Sequence, residues 1–125
     1  KANIPIDASK AASILRNRKG VGGAELGLAN EMAINQFIAH HSVIFQPEKK
    51  LMWVSTSPWQ CGKYVAYDLN RIFSDSIDFN HEIYTGDLTL PADSFLQQQE
   101  YQQLMAYKRL APVLRKQINL NSATL

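Results

Sequence analysis

The chain of 125 residues contains one cysteine, few charges and no long apolar run. These shortages limit the classes of protein to which the chain can belong. A single cysteine cannot form an internal disulfide, so the cysteine content indicates no cellular compartment. No apolar run reaches the ~18 residues of a membrane span, and a net charge of +2 without a basic run favours neither nucleic acid nor a membrane partner. No zinc-like ligand spacing is present, so we expect neither a metal nor a cofactor.

The glycines are concentrated in one loop, "GVGGAELG", at residues 20–27. Their spacing does not match a phosphate-binding fingerprint, and no Lys-Ser or Lys-Thr pair follows them. The apolar fraction of 46% nevertheless indicates a globular chain with a core. We expect residues 1–125 to form a single domain or the C-terminal part of a larger one.

Helical periodicity occurs near both ends of the chain. The stretch "IDASKAASILRNRKG" predicts a helix over about 7–19, capped by Asp7, with one face formed by Ala8, Ala11, Ala12 and Leu15. Apolar spacing after "LPAD" predicts a second helix over about 94–110, capped by Asp93 or Ser94. Because proline disrupts a straight helix, we expect Pro112 to start a separate short helix that reaches about Ile118.

The middle of the chain alternates with a period of two, which is typical of β-strands. Residues 34–46 and 51–56 flank the turn sequence "PEKK" and predict an antiparallel hairpin with Ile44 opposite Trp53 and Val43 opposite Val54. Both faces of this hairpin are largely apolar, which predicts an interior layer covered on both sides. The following "KYVAYDL" predicts a third strand or, alternatively, the start of a helix.

Cys61 and two adjacent histidines are the residues with the most obvious catalytic chemistry. A thiol nucleophile needs a nearby base and a lowered pKa, whereas a loop cysteine beside Trp59 is more often a buried structural residue. His40 and His41 would point to opposite faces of a strand and therefore could not bind one ligand together. Trp53, Trp59 and the nearby tyrosines could line a ligand site but are more often core residues. The residues alone therefore form no complete catalytic constellation.

The stretch from Gly27 to Phe73 resembles the C-terminal part of the autoproteolytic acyltransferases and hydrolases related to isopenicillin N acyltransferase. The features that carry the resemblance are "AIN…HHSVIF-P", "WVS", "PWQ-G" and "YVAYDL", with "ASILRN" before them and "DSFLQQQEY" after them. This family belongs to the N-terminal-nucleophile superfamily, with choloylglycine hydrolases and penicillin V acylases as more distant relatives. The resemblance implies an α+β chain that forms the C-terminal portion of a four-layer αββα sandwich.

The resemblance also implies an enzyme that attacks linear amide C–N bonds through an N-terminal cysteine. Neither Lys1 nor Cys61 matches that cysteine, so we expect the nucleophile on an upstream polypeptide or processed partner chain and assign no catalytic residue here. The loop after the hairpin would then form the rim of a pocket for a small acyl-amide substrate, with Ser55, Thr56, Ser57 and Trp59 as rim residues. The alternative is a non-catalytic α+β module that binds a small molecule or a peptide.

Overall fold

The computed structural model describes residues 6–74, 78, 80 and 82–122, and only the backbone of residues 120–122. The chain divides into two compact units, Lys1–Asp93 and Ser94–Leu125. The first unit contains a three-stranded antiparallel sheet and two helices, and the second contains one long helix. The chain is therefore α+β. The prediction of one domain, or part of a larger one, stays a prediction.

The first unit begins with helix α1, Ala8–Leu15. Asp7 caps it as predicted, because its side chain accepts a hydrogen bond from the Lys10 N–H at 2.7 Å. The helix ends at Leu15, four residues before the predicted end at position 19. The cause lies in Asn17, whose side-chain oxygen accepts the Lys19 N–H at 2.9 Å and so offers the backbone a turn instead of another helical residue.

The sheet has the strand order β1-β2-β3, formed by β1 Val43–Gln46, β2 Leu51–Ser55 and β3 Tyr64–Asp68. The predicted hairpin is confirmed together with its register, since Ile44 pairs with Trp53 and Val43 pairs with Val54. Its turn is a short 3₁₀ segment, Pro47–Lys49. The third strand is also confirmed, and the short helix α2, Leu69–Ile72, follows it directly.

The first strand is much shorter than predicted, because residues 34–42 are not in a strand. The side-chain oxygen of Asn35 accepts the Phe37 N–H at 3.2 Å, and Phe37 has a left-handed φ of 53°. A left-handed residue cannot continue an extended strand, so the alternating pattern before Val43 does not form one. His40 and His41 lie in this irregular stretch and are exposed, which corrects the expectation that they occupy opposite faces of a strand.

One face of the sheet carries the core of the first unit, and we call it the inner face. Its buried members are Ile44, Trp53, Ala66 and Tyr64, and Ala12 of α1 packs against them. Small alanines on α1 let the helix lie close to the strands. This face explains why the sheet and α1 form one unit.

The opposite face, called the outer face, is apolar but incompletely covered. Direct pairing aligns two rows on it, which consist of Val43, Val54 and Val65, and of Phe45, Met52 and Tyr67. Phe45 is 63% exposed and Val43 is 37% exposed, and the other four are half-buried. The described residues of this chain therefore cover only the inner face, and the expected covering of the outer face stays a prediction.

The second unit consists of a 3₁₀ segment, Ser94–Gln97, and helix α3, Gln99–Ser122. The helix continues through Pro112, which corrects the prediction of a break and a separate short helix. Proline removes one backbone N–H donor, and a helix of 24 residues retains enough other hydrogen bonds to continue past that loss. The cap predicted at Asp93 or Ser94 stays a prediction, and the Asp93 carboxylate binds the Arg18 guanidinium at 2.9 Å.

Candidate functional site

The loop between β2 and β3, residues 56–63, lies at one end of the sheet and contains most of the predicted rim. Two consecutive residues at its tip, Trp59 and Gln60, have left-handed φ values of 41° and 69°. The loop closes on itself through hydrogen bonds from the Thr56 N–H to the Lys63 carbonyl at 2.7 Å and from the Cys61 N–H to the Pro58 carbonyl at 2.8 Å. These contacts hold the loop in a single compact shape.

Gly62 makes this compact shape possible. A Cβ atom at this position would lie 2.3 Å from the Ser57 carbonyl oxygen and 2.3 Å from the Thr56 hydroxyl oxygen. Both distances are far below van der Waals contact, so only glycine fits. The loop conformation therefore depends on the absence of one side chain.

Arg16, the residue directly after α1, holds the loop in place through hydrogen bonds from its side chain. Its guanidinium donates to the carbonyl of Gln60 at 3.2 Å, of Gly62 at 2.6 Å and of Pro91 at 2.8 Å. The same group lies 5.0 Å from the centre of the Tyr64 ring, in a cation–π arrangement. We call these four contacts the Arg16 clamp. They join α1, the loop, β3 and residue 91 into one rigid region.

A group of hydroxyls is buried under the same loop. The Ser55 hydroxyl accepts the Ser42 N–H at 2.7 Å, and the Ser42 hydroxyl lies 3.4 Å from it and also bonds the Tyr64 hydroxyl. Burial raises the pKa of the Tyr64 phenol above its ordinary value, an effect that the Ser42 hydrogen bond partly opposes. This hydroxyl cluster supports the end of the sheet. It shares Tyr64 with the Arg16 clamp, because the ring of Tyr64 lies beside the Arg16 guanidinium.

Cys61 is fully buried, and its side-chain partner is an amide. The Asn35 side-chain nitrogen lies 3.3 Å from the sulfur and donates to it, and Asn35 is itself buried. Burial raises the pKa of the Cys61 thiol, an effect that the Asn35 hydrogen bond partly opposes. A neutral, buried thiol without an adjacent base cannot act as an efficient nucleophile. The geometry therefore agrees with a structural role for Cys61.

The four predicted rim residues occupy different environments. Thr56 and Ser57 are exposed, and Trp59 is half-buried with its ring 5.7 Å from that of Phe37 in an edge-to-face contact. Ser55 is buried in the hydroxyl cluster and supports the loop instead of facing the surface. The loop thus presents Thr56, Ser57 and one side of Trp59, and their role as a rim stays a prediction.

A surface cavity of about 380 Å³ lies elsewhere, lined by Lys50, Leu69, Asn70 and Phe73. Lys50 precedes β2 and Leu69 follows β3, so this cavity is at the opposite end of the sheet from the rim residues. The cavity is shallow and open, and Asn70 within it is already hydrogen bonded to Asp68. It offers no convergent set of free polar groups to a ligand.

Arg16 and Asn35 were not predicted as site residues. The sequence placed Arg16 within the predicted helix over about 7–19 and Asn35 within the predicted strand over 34–46. The acceptors of Arg16 are backbone carbonyls 44 to 75 residues away, which no sequence pattern marks. Among the described residues, no group of three or more His, Cys, Asp or Glu side chains could hold a metal ion.

The comparisons with known proteins add no relative. No family model, curated protein or solved structure matches the chain. No helix among the described residues is long and apolar enough to cross a membrane. The geometry described above and the sequence resemblance are therefore the observations that bear on function.

Proposed function

We propose that this chain is the C-terminal part of an acyl-amide hydrolase or acyltransferase of the N-terminal-nucleophile type. In this proposal the catalytic cysteine belongs to a polypeptide outside the chain, and the chain contributes a sheet, a helical layer and part of the pocket rim. The thiol of that cysteine would attack the amide carbonyl, expel the amine and form an acyl-enzyme. Water or a second amine would then take the acyl group.

The observation that carries the proposal is the unequal covering of the two sheet faces. The inner face packs on α1, whereas the outer face presents six apolar side chains with Phe45 and Val43 exposed. A sheet in an αββα sandwich has a helical layer on one side and a second sheet on the other. This chain has the first of these coverings and an apolar surface suited to the second.

The loop supports the proposal at the chemical level. A rim must be rigid to position a substrate, and the Arg16 clamp together with the Gly62 packing makes this loop rigid. Because Cys61 is buried and paired with Asn35, a nucleophile from another segment is needed for amide cleavage. Thr56, Ser57 and Trp59 would contact the substrate.

The binding-module alternative requires Trp53 and Tyr64 to contact a ligand, but both side chains are buried. Trp53 is 3% exposed and donates its indole N–H to the Leu88 carbonyl at 2.9 Å, and Tyr64 is fully buried. Neither ring can be offered to a peptide or small molecule without unfolding the core. Trp59 and Tyr67 are half-buried and retain some exposed surface.

The test is an assay of the isolated chain on a panel of acyl amides, including penicillin V and conjugated bile acids, with and without the upstream polypeptide of its reading frame. We expect turnover only when both are present, with mass spectrometry placing the acyl group on the upstream polypeptide. The control is Cys61→Ala in the combined protein, which should retain activity within about a hundredfold, because loss of a nucleophile costs at least that much. Turnover by the isolated chain, or an acyl group on Cys61, would contradict the proposal.

A further inference from the structure

The free edge of β1 has unsatisfied backbone groups in a defined pattern. Ser55 donates its N–H to the Ser42 carbonyl at 2.9 Å, so the backbone groups of Ser42 and Ile44 face β2. Because these directions alternate along a strand, the N–H and C=O groups of Val43 and Phe45 point away from the sheet. Within the part of the chain that the structure describes, no hydrogen bond takes up these outward groups.

The other edge of the sheet is covered. Tyr64 exchanges two backbone hydrogen bonds with Leu90, at 3.1 and 2.9 Å, and the Ala66 carbonyl accepts the Thr85 N–H at 2.8 Å. The Ala66 N–H bonds the Thr89 hydroxyl at 3.3 Å. The outward groups of β3 are therefore largely satisfied by residues 85–90, which leaves β1 as the open edge.

The open edge lacks most of the features that normally prevent strand addition. Exposed edges are usually protected by a short strand length, or by a lysine, a proline or a bulge within the strand. The segment Val43–Gln46 is short but contains no lysine, proline or bulge, and the exposed side chains next to the edge are Val43 and Phe45. The segment is uncharged, so pairing it with a copy of itself places no like charges opposite one another.

We propose that β1 pairs antiparallel with β1 of a second copy of this chain, about a two-fold axis perpendicular to the sheet. Backbone geometry requires outward-facing residues to pair, and continuity of the faces requires outer-face residues to lie opposite outer-face residues. In β1 both conditions select Val43 and Phe45. Val43 opposite Phe45 of the second copy, with Ile44 opposite Ile44, is the register that gives every outward-facing residue of the two strands a partner.

The pairing joins the two sheets into one of six strands. Each Val43–Phe45 pair exchanges both N–H···O=C bonds, and the two apolar side chains contact one another on the outer face. A segment of four residues buries much less than the roughly 1,000 Å² typical of a stable interface, so the dimer is weak and depends on concentration. The inference concerns the chain itself and is independent of the proposed acyl chemistry.

The first experiment measures the mass of the full chain by sedimentation over roughly 10 µM to 1 mM, a range suited to weak association. We expect a monomer–dimer equilibrium. Val43→Pro removes only the outward N–H, which the folded subunit does not use, and should raise the dissociation constant at least about tenfold. The matched control, Val43→Ala, shortens the side chain but keeps that N–H and should shift the constant by less than about threefold. Circular dichroism verifies that each variant is folded.

The second experiment tests the register without a change in backbone chemistry. Val43→Cys and Phe45→Cys chains are mixed in a Cys61→Ala background and oxidised. Directly paired residues have Cα atoms about 5.5 Å apart, within disulfide reach, whereas two copies of position 43 are displaced by two residues. Only the mixture should form a covalent dimer.

Three outcomes would overturn the inference. One is a monomer throughout the concentration range, including a chain that forms only a one-to-one complex with another polypeptide through this edge. Another is a dimer that Val43→Pro and Val43→Ala affect equally. The last is cross-linking of either cysteine variant alone as efficient as that of the mixture.

Discussion

At the scale of single residues, Trp53 shows how a side chain can fix both the core and a neighbouring loop. Its ring is buried between α1 and the strands, and its indole N–H satisfies the Leu88 carbonyl in the segment that covers β3. Loss of the ring would leave a cavity, and loss of the N–H would leave a carbonyl without a partner. The two losses can be separated by substitution.

We expect Trp53→Ala to lower the free energy of unfolding by about 3–5 kcal/mol, as for other large-to-small core changes. Trp53→Phe keeps most of the bulk but removes the donor, and should cost less than half as much. Denaturant titration of the two variants gives both values. A loss below about 1 kcal/mol for Trp53→Ala would mean that the ring is not buried in solution.

Cys61 contributes to the pH dependence of stability, with a sign that follows from its burial. Burial raises its pKa in the folded chain above the ordinary value of a cysteine thiol, so the folded chain holds the thiol proton more tightly than the unfolded chain. The stabilisation is fully present below the pKa of the unfolded thiol and is lost as pH rises through the folded value. Tyr64, whose pKa is also raised by burial, acts in the same direction at higher pH.

We therefore expect the free energy of unfolding to fall as pH rises above about 8.5, the usual cysteine pKa, towards 10. Cys61→Ala should remove much of this slope while Tyr64→Phe should change it only at the upper end. Unfolding titrations at a series of pH values measure both. An unchanged slope in Cys61→Ala would show that the thiol is not desolvated.

At the scale of elements, the β2–β3 loop depends on Gly62, whereas most other glycines have room around them. We expect Gly62→Ala to lower the free energy of unfolding by about 1–3 kcal/mol or more, as for overpacking, because the Cβ would contact fixed backbone oxygens. The matched control is Gly86→Ala, where the nearest heavy atom, in Tyr84, is 3.9 Å from the added carbon. Thermal unfolding compares the two, and equal midpoints would contradict the loop packing.

The elements also show which features a sequence can predict. The hairpin register followed from "PEKK", because a short turn fixes which residues lie opposite one another across it. Asp7 identified the start of α1 in the same local way. By contrast, Asn35 and Asn17 end regular structure through side-chain hydrogen bonds to nearby backbone, and an asparagine in an alternating or helical pattern does not indicate which bond it will choose.

At the scale of the whole molecule, the candidate site was predictable only as a stretch of chain. The loop was located correctly between two strands, but its rigidity arises from Arg16, and the burial of Ser55 arises from Ser42 and Tyr64. These partners are distant in sequence, and most of the acceptors are backbone atoms that any residue could supply. The uncovered outer face likewise follows from the assembled sheet and not from the composition of one strand.

The Arg16 clamp has a consequence for the order in which the first unit folds. Its carbonyl acceptors are 44, 46 and 75 residues from Arg16, so closing these loops loses much chain entropy before any hydrogen bond compensates for it. The local β1–β2 hairpin encloses only a short turn and should form earlier. We infer that the clamp is absent from the folding transition state.

Arg16→Met should therefore speed unfolding and leave the folding rate nearly unchanged, for a total loss of about 1–3 kcal/mol. Stopped-flow measurements across a denaturant series give both rates, and Arg115→Met on the exposed part of α3 is the control. A slower folding limb would contradict this order. Because the clamp holds the candidate rim, the chain would complete the shape of its binding surface last and lose it first.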